Sequence, residues 1–474
     1  MLHRIVGYTV SRSAVEGLLG LRGVAIASFL GPELFGAWSL FRLALHYFGF
    51  VGQTLNRGME VEVAAAGPPR GKLVAEAQRV WGQIVLGPTL CLYGLLTAGV
   101  ALALLWPFGR LAELTVLGIA VALIPERLWR YALTFVRAVG MFRRFAILEF
   151  LHAVLQLTLT VAFAFAWGLG GALAGFLAAT LTSLCIAARQ VPWRPRWSLR
   201  QAGQVFRIGF PVSLTNFSTT ILQTIDQLLV GAFAGIAALG IYAFAVSLSG
   251  LGVHVALIVR NVILTDVYGA KGEDHRRQTG RLIMDRSLAA FSILLPPLAG
   301  FVALVMSPAV LALLPHFGAA IILAQIFIFI GVLQGIVNVS VMGVVAEGHQ
   351  GRVPLICLGA VTLNISLSVL ALSLGLGLIG VAVGALLSRM AYAAATTSVL
   401  TASRPNSAGY GGLTRSLAPT IWCAFAVAAI QLTAPAQDWE SLAIAILLYS
   451  LALIPLGIVF RSTIAESGIL RFKT

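Results

Sequence analysis

Apolar residues along this chain come in runs of about twenty, long enough to cross the ~30 Å hydrocarbon layer of a bilayer as helices. The pattern predicts about fourteen helices, at 5–29, 34–55, 80–105, 111–131, 145–166, 169–188, 207–234, 237–260, 287–306, 318–345, 353–374, 376–400, 417–433 and 441–461. Turn-forming residues mark the breaks: Gly31-Pro32, Pro107-Phe108-Gly109, Trp167-Gly168, Gly235, and Pro308 with Pro315. The first run lacks a small-residue cleavage site and reads as a spanning helix rather than a signal peptide. The expected fold class is an all-α polytopic membrane protein.

Composition sharpens this picture. Apolar residues make up 59% of the chain and charged residues 10%, against about 25% in soluble domains, and mean hydropathy is +0.94. The net charge of +15 does not point to nucleic acid, because the basic residues gather at the ends of apolar runs. One set of loops holds Arg57, Arg70, Lys72 and Arg79, then Arg137, Arg143 and Arg144, then Arg189, Arg194, Arg196 and Arg200. The same set continues with Lys271, Arg276, Arg277, Arg281 and Arg286, then Arg352, Arg404 and Arg415. The alternate loops offer Arg110 beside the acids Glu33, Glu113, Asp438 and Glu440. The positive-inside rule then puts both termini in the cytoplasm. Cys91, Cys185, Cys357 and Cys423 each stand alone in an apolar run, without metal-ligand spacing.

A repeat runs through the chain at an offset of 204 residues. Phe29, Gly31 and Gly36 recur as Phe233, Gly235 and Gly240, Trp38 is answered by Tyr242, and Glu62-Val63 by Asp266-Val267. A duplicated unit of six helices inserts twice in the same orientation, giving parallel lobes. The expected organisation is an N-terminal lobe at 1–188, a basic linker at 189–205, a second lobe at 206–402, and an extra helix pair with a tail at 403–474. The linker Pro192-Trp193-Arg194-Pro195-Arg196-Trp197 suits the headgroup layer, with indoles at the interface and arginines toward anionic lipid.

Two stretches carry a family likeness. Ala27-Ser28-Phe29-Leu30-Gly31-Pro32-Glu33-Leu34-Phe35-Gly36-Ala37-Trp38 resembles the opening of Wzx-type polysaccharide transporters, within the multidrug/oligosaccharidyl-lipid/polysaccharide exporter superfamily. Gly209-Phe210-Pro211-Val212-Ser213-Leu214-Thr215-Asn216, continuing through Asp226 to Gly240-Ile241-Tyr242-Ala243, resembles the start of the second lobe in that family. The likeness covers residues 1 to about 400. It implies a V-shaped, MATE-like pair of lobes working by alternating access, with the first and seventh helices lining a central cavity. It further implies an undecaprenyl-diphosphate-linked glycan as substrate, membrane lipid as environment, and a polysaccharide polymerase or co-polymerase as partner. The last helix pair departs from the twelve-helix core of the family.

Polar residues inside apolar helices are costly and mark cavities or partners. Helix 1 carries Arg12 and Glu16, one turn apart and suited to an ion pair, with Arg22 deeper. Helix 2 has a stripe of Ser39, Arg42, His46 and Gln53, and helix 5 one of Glu149, His152, Gln156 and Thr160. Helix 7 carries Asn216, Thr219, Thr220, Gln223, Asp226 and Gln227. Arg389 lies near the middle of helix 12, and Asn338 and Asn364 add polar points to helices 10 and 11. Guanidinium groups suit a diphosphate because they donate paired hydrogen bonds to its oxygens. Arg22, Arg42, Arg389, Asn216 and Gln223 are therefore the candidate substrate-binding residues. Asp226, Glu16 and Glu149 are the candidates for ion coupling, and His46 and His152 read first as structural histidines. Neither a phosphate-binding glycine loop nor a metal cluster nor an activated nucleophile is legible, so no enzyme, cofactor or ATP-driven step is expected.

The leading reading is a flippase carrying a polyprenyl-diphosphate-linked oligosaccharide outward for O-antigen, capsule or exopolysaccharide synthesis. A cation-coupled multidrug exporter and a non-transporting scaffold of a glycan assembly complex are its rivals. Arginine-rich helices weigh against the first, and polar stripes on several helices against the second. The offset of 204 pairs Arg22 with Asp226, which leaves three arrangements open. They form a bridge between lobes, or they bind diphosphate and cation separately, or each is neutralised within its own lobe.

Overall fold

The computed structural model describes residues 2–67, 71–106, 109–248, 273–349, 351–402, 413–435 and 438–460, and all regular structure among them is helical. In chain order the helices are α1 (Leu2–Phe48), α2 (Phe50–Ala65), α3 (Lys72–Ala103), α4 (Arg110–Ala138), α5 (Phe142–Ala187), α6 (Leu199–Phe233) and α7 (Ile236–Leu248). There follow α8 (Glu273–Leu313), α9 (Ile321–Ala346), α10 (Arg352–Ser373), α11 (Gly377–Ala402), α12 (Leu413–Thr433), α13 (Trp439–Ala452) and α14 (Ile454–Val459). The expectations resting on the Arg12 side chain, Arg70, Asp266, Lys271, Arg276, Arg277, Arg281, Arg286, Arg404 and Arg415 lie outside the described residues.

Two of the long helices are hairpins folded at a glycine. In α1 the chain breaks at Gly31, whose φ of 68° and ψ of 176° belong to a region that only glycine enters freely. Pro32 then opens the next arm, where its missing N–H costs nothing. In α5 the break falls at Trp167 and Gly168 (φ 61°), and the two arms touch backbone to backbone. A Cβ at Gly171 would collide with the carbonyl of Phe163, and one at Gly175 with that of Leu159. Both breaks stand where the turn residues predict them. Pro308 does not break the chain: α8 runs through Pro296, Pro297 and Pro308 to Leu313, as helices in lipid can when neighbours re-satisfy the freed carbonyls.

Among the described residues nine helices are long and apolar enough to cross a membrane, Ala14–Phe48 and Phe142–Gln190 each counting once although each contains a break. The predicted number of about fourteen is higher because it counts the arms separately and includes charged or polar helices such as α4. Leu102, Phe425, Leu432, Leu447 and Ile458 are more than half exposed, as side chains facing acyl chains must be.

The chain divides into two compact units, Val10–Thr224 and Ile225–Thr474 with Met1–Thr9. In the first unit α2, α3, α4 and α5 pack around Met59, Val85, Trp129, Tyr131, Phe135 and Phe145. The first half of α6 joins them through glycine: a Cβ at Gly58 would strike the Val205 carbonyl, and one at Gly209 the Thr54 carbonyl. Small residues permit this kind of close approach between membrane helices. The Phe50 and Phe217 rings stack at 4.2 Å along the same seam. In the second unit α8, α9, α10, α11, α12 and α13 form the body, with α9 mostly buried.

Local geometry repeats between the units. The turn after α4 places Gly140 at φ 85° and bonds Gly140 N–H to Arg137 O (2.9 Å) and Met141 N–H to Val136 O (3.2 Å). The turn after α9 places Gly348 at φ 82° with bonds from Gly348 to Val345 (3.0 Å) and His349 to Val344 (3.0 Å). These are the same helix-ending motif, displaced by 208 residues. Gly31 and Gly235, both at positive φ, keep the offset of 204.

Candidate functional site

The first unit encloses a cavity of about 270 Å³. From α1 come Glu16, Arg22, Arg42 and His46, from α2 Gln53, from α4 Glu126, Arg127 and Arg130, and from α5 Glu149, His152 and Gln156. The Gly31 hairpin makes this possible, because it returns the second arm of α1 beside the first and so brings Arg42 to the same space as Arg22. The helical spacing of the α5 stripe turns Glu149, His152 and Gln156 to one face.

Arg22 is almost fully buried. Its Nη1 donates to Gln156 Oε1 at 2.7 Å, and its guanidinium carbon lies 5.8 Å from the centre of the Trp38 ring. Gln156 is fixed in turn: its amide nitrogen donates to Thr180 Oγ1 (3.1 Å) and the Phe176 carbonyl (3.3 Å), which leaves Oε1 for Arg22. The Nε of Arg22 is buried without a partner among the described residues. Arg42 retains accessible surface because it opens into the cavity. Among the described residues no carboxylate makes an ion pair with Arg22 or Arg42.

The other charges are engaged. Arg130 Nε pairs with Glu126 Oε1 at 2.8 Å, one helical turn away. Arg127 donates to the carbonyl of Leu45 and lies 5.7 Å from the Tyr93 ring centre. His152 stacks on Trp129 at 4.5 Å, with Nδ1 2.9 Å from Ser183 Oγ, and His46 Nε2 is 3.4 Å from Thr220 Oγ1. His152 thus has the satisfied surroundings of a structural residue, whereas His46 is exposed at the cavity with this one long contact. The cavity is cationic in its unpaired groups, although three acids also line it.

The structure brings together four of the sequence candidates here: Arg22, Arg42, Glu16 and Glu149. Two others meet in the second unit. Asp226, fully buried, accepts from Tyr242 Oη at 2.9 Å and from Gln227 N at 3.0 Å, and Arg389 Nη2 lies 3.9 Å from its Oδ2. Within its own unit Arg22 bonds the neutral amide of Gln156, whereas Asp226 lies beside the charged Arg389. Asn216 and Gln223 are exposed on α6 and do not line the cavity.

Glu126, Arg127 and Arg130 escaped the sequence reading. They fall near the end of the run at 111–131, where charges look like interface anchors. The helix continues to Ala138, which puts them inside it. The cluster Glu126-Arg127-Leu128-Trp129-Arg130, three charges in five residues of an apolar helix, is the signal that could have found them.

Comparison with known proteins accords with this fold. The chain superposes on the lipid II flippase MurJ in an inward closed conformation with a TM-score of 0.70, covering 96% of this chain and 99% of that one at 15% identity. An inward-facing multidrug resistance MATE family transporter of the MOP superfamily matches with a TM-score of 0.65, 84% and 96% coverage and 16% identity. An outward-facing one matches at 0.58, with 91% and 96% coverage and 16% identity. Identities this low speak for a shared fold alone, one that transporters use. No curated protein matches the sequence. The family model described as polysaccharide biosynthesis protein matches residues 78–316, half of the chain. This membrane protein, with its transporter fold and its arginine-lined cavity, belongs to the polysaccharide biosynthesis protein family.

Proposed function

We propose that the protein is a flippase that carries a polyprenyl-diphosphate-linked oligosaccharide from the cytoplasmic to the periplasmic leaflet of a bacterial inner membrane. The observation that carries the reading is the pair Arg22 and Arg42, two guanidinium groups in one enclosed cavity with no carboxylate bound to either among the described residues. Arg22 is buried with a neutral hydrogen-bond partner, a costly state for a cation that an anionic ligand offsets, and Arg42 opens into the same space. A diphosphate supplies several acceptor oxygens, and Arg22 still has an unpartnered Nε to offer. Family membership in polysaccharide biosynthesis and the flippase fold support the substrate class.

In this reading Gln156 orients Arg22, the Trp38 face holds its plane, and Arg42 closes on the diphosphate from the facing arm of α1. Glu16 and Glu149, in the same cavity, are placed to exchange a proton or cation as the anion comes and goes, and so to couple transport to an ion gradient. Asp226 is tied to Arg389 and Tyr242. The glycan remains in water and the lipid tail in the bilayer. Both termini face the cytoplasm, so a periplasm-active reporter fused after Gln204 stays silent.

The test is the cytoplasmic accumulation of lipid-linked glycan in cells carrying single variants at matched membrane levels. A charge-assisted hydrogen bond contributes about 1.5–3 kcal/mol, so Arg22→Ala and Arg42→Ala should weaken anion binding roughly ten- to a hundredfold and stall export. Arg22→Lys should keep part of it, retaining charge without the planar paired donors. Normal glycan export in both alanine variants would sink the reading.

A further inference from the structure

The passage from α1 to α2 is an interrupted helix, and the interruption is filled by two side chains. In an unbroken helix Gly49 N–H would bond Leu45 O, and Gly52 N–H would bond Phe48 O, each four residues back. Here Gly49 N–H bonds His46 O at 3.1 Å, and the Leu45 carbonyl receives the Arg127 guanidinium of α4. The Tyr93 hydroxyl of α3 accepts from Gly52 N–H at 3.1 Å and donates to Phe48 O at 3.0 Å. It bridges the two groups that would otherwise meet directly, and a side chain inserted into the ladder is a recognised cause of a kink.

The sequence makes room for both intruders. A Cβ at Gly49 would fall on the Arg127 guanidinium, and one at Gly52 on the Tyr93 hydroxyl. The Tyr93 ring lies against Arg127 at 5.7 Å, so the two act together. Arg127 is also a wall of the cavity. The arm that ends at this break carries Arg42 and His46 into the cavity, and Gln53 follows just beyond it.

We infer that Tyr93 and Arg127 are positioning residues for the anion site. They hold the break at Gly49 open at one angle, and that angle presents Arg42 to the space shared with Arg22. Because Arg127 both grips the break and faces the cavity, a change of occupancy there is transmitted to the direction of the arm. The inference rests on the reading of the cavity as the substrate's anion site, but its geometric part is measured without substrate.

The experiment uses the full chain in lipid nanodiscs, with spin labels at Glu33→Cys and Glu113→Cys and with the exposed Cys91 and Cys185 replaced by alanine. Both label positions are exposed. From Glu33 to Gly49 the arm is sixteen residues long, about 24 Å at 1.5 Å per residue. A change of about 20° in the kink would therefore move its tip by about 8 Å. Tyr93→Phe, which removes one oxygen and conserves the packing, should shift the Glu33–Glu113 distance by several ångströms on this scale, and Arg127→Ala should do likewise. Arg127→Lys keeps a donor for Leu45 O and should restore the unsubstituted distance. Both shifting variants should lose most glycan export at matched protein levels. An unchanged distance in Tyr93→Phe and Arg127→Ala overturns the inference, as does a shifted distance with normal export. The distance is read in the absence of ligand, so failure of Arg22→Ala to affect export would defeat the anion-site reading and leave the distance result standing.

Discussion

The two units treat the same polar positions in opposite ways. In the first, Arg22 of α1 lies against Trp38; in the second, 204 residues on, Asp226 binds Tyr242. Glu126 and Arg130 form an ion pair on α4, and 208 residues on, Gln334 donates to Asn338 at 3.2 Å on α9. The first unit keeps charge at both places and opens a cavity around it. The second encloses Asp226 with Arg389 inside the fold, both nearly inaccessible, and has neutral amides at the other pair of positions. Positions related by these offsets are thus polar in both units while the chemistry at them differs. The first unit turns its charges toward a cavity, and the second holds Asp226 and Arg389 against each other.

The largest effect that would break this comparison is on stability in the second unit. Removing one partner of a buried ion pair costs about 3–5 kcal/mol, so Arg389→Met should lower the melting temperature of the purified protein sharply. Arg389→Met combined with Asp226→Asn should recover much of the loss, because no lone charge is left inside. Arg22→Ala should lower it much less while stalling export. Equal thermal losses in Arg22→Ala and Arg389→Met would erase the distinction between the units.

A smaller effect is expected at the α5 hairpin, which carries the Gln156 arm of the cavity. Overpacking costs about 1–3 kcal/mol, so Gly171→Ala should reduce thermal stability on that scale. It should also weaken export by displacing Gln156 from Arg22. A melting curve identical to that of the parent protein would show that the arms can part freely. Smaller still is the graft Gln334→Glu with Asn338→Arg, which copies the α4 pair onto α9. A helical pair one turn apart contributes roughly 0.2–0.5 kcal/mol, so the graft should leave the melting temperature within about a degree or two. A large fall would show that α9 is closed to charge in a way α4 is not.

The smallest effect lies at the surface of the second unit. Asp438 caps α13, accepting from Ser441 N–H at 2.7 Å and from the Ser441 hydroxyl. The hydroxyl, then the backbone N–H, hold its carboxyl below the usual aspartate range. A depressed pKa in the folded state means that the stabilisation is present above ~4, the ordinary aspartate value, and is lost as pH falls through the depressed one. Asp438→Asn keeps a capping acceptor and should remove this part of the acid sensitivity in melting temperatures measured across that range. An unchanged acid dependence would refute the assignment.

Several elements were legible because single residues dictate them. Gly31, Gly168 and Gly235 are needed wherever the chain turns through positive φ, and each stands at a predicted break. Arg22, Arg42, Glu16 and Glu149 were legible as candidates because an ionised group inside an apolar helix demands a reason. The cavity itself was not. Arg22 meets Gln156, 134 residues away, and nothing in either helix alone names the other. Arg127 was hidden by its place near a span's end, and the helix ladder that receives it at Leu45 looks, in sequence, like any apolar run.

By itself the sequence determined that this chain lives in lipid and that it is helical throughout the described residues. Runs of apolar residues and obligatory glycines are local facts, and the bilayer permits few answers to them. Only the tertiary structure decided which charges stay unpaired. Whether an arginine binds a ligand or a neighbour depends on what lies within a few ångströms of it. Gln156 beside Arg22, Asp226 beside Arg389 and the Leu45 carbonyl beside Arg127 are brought there by helix packing, which couples residues that sequence order keeps far apart.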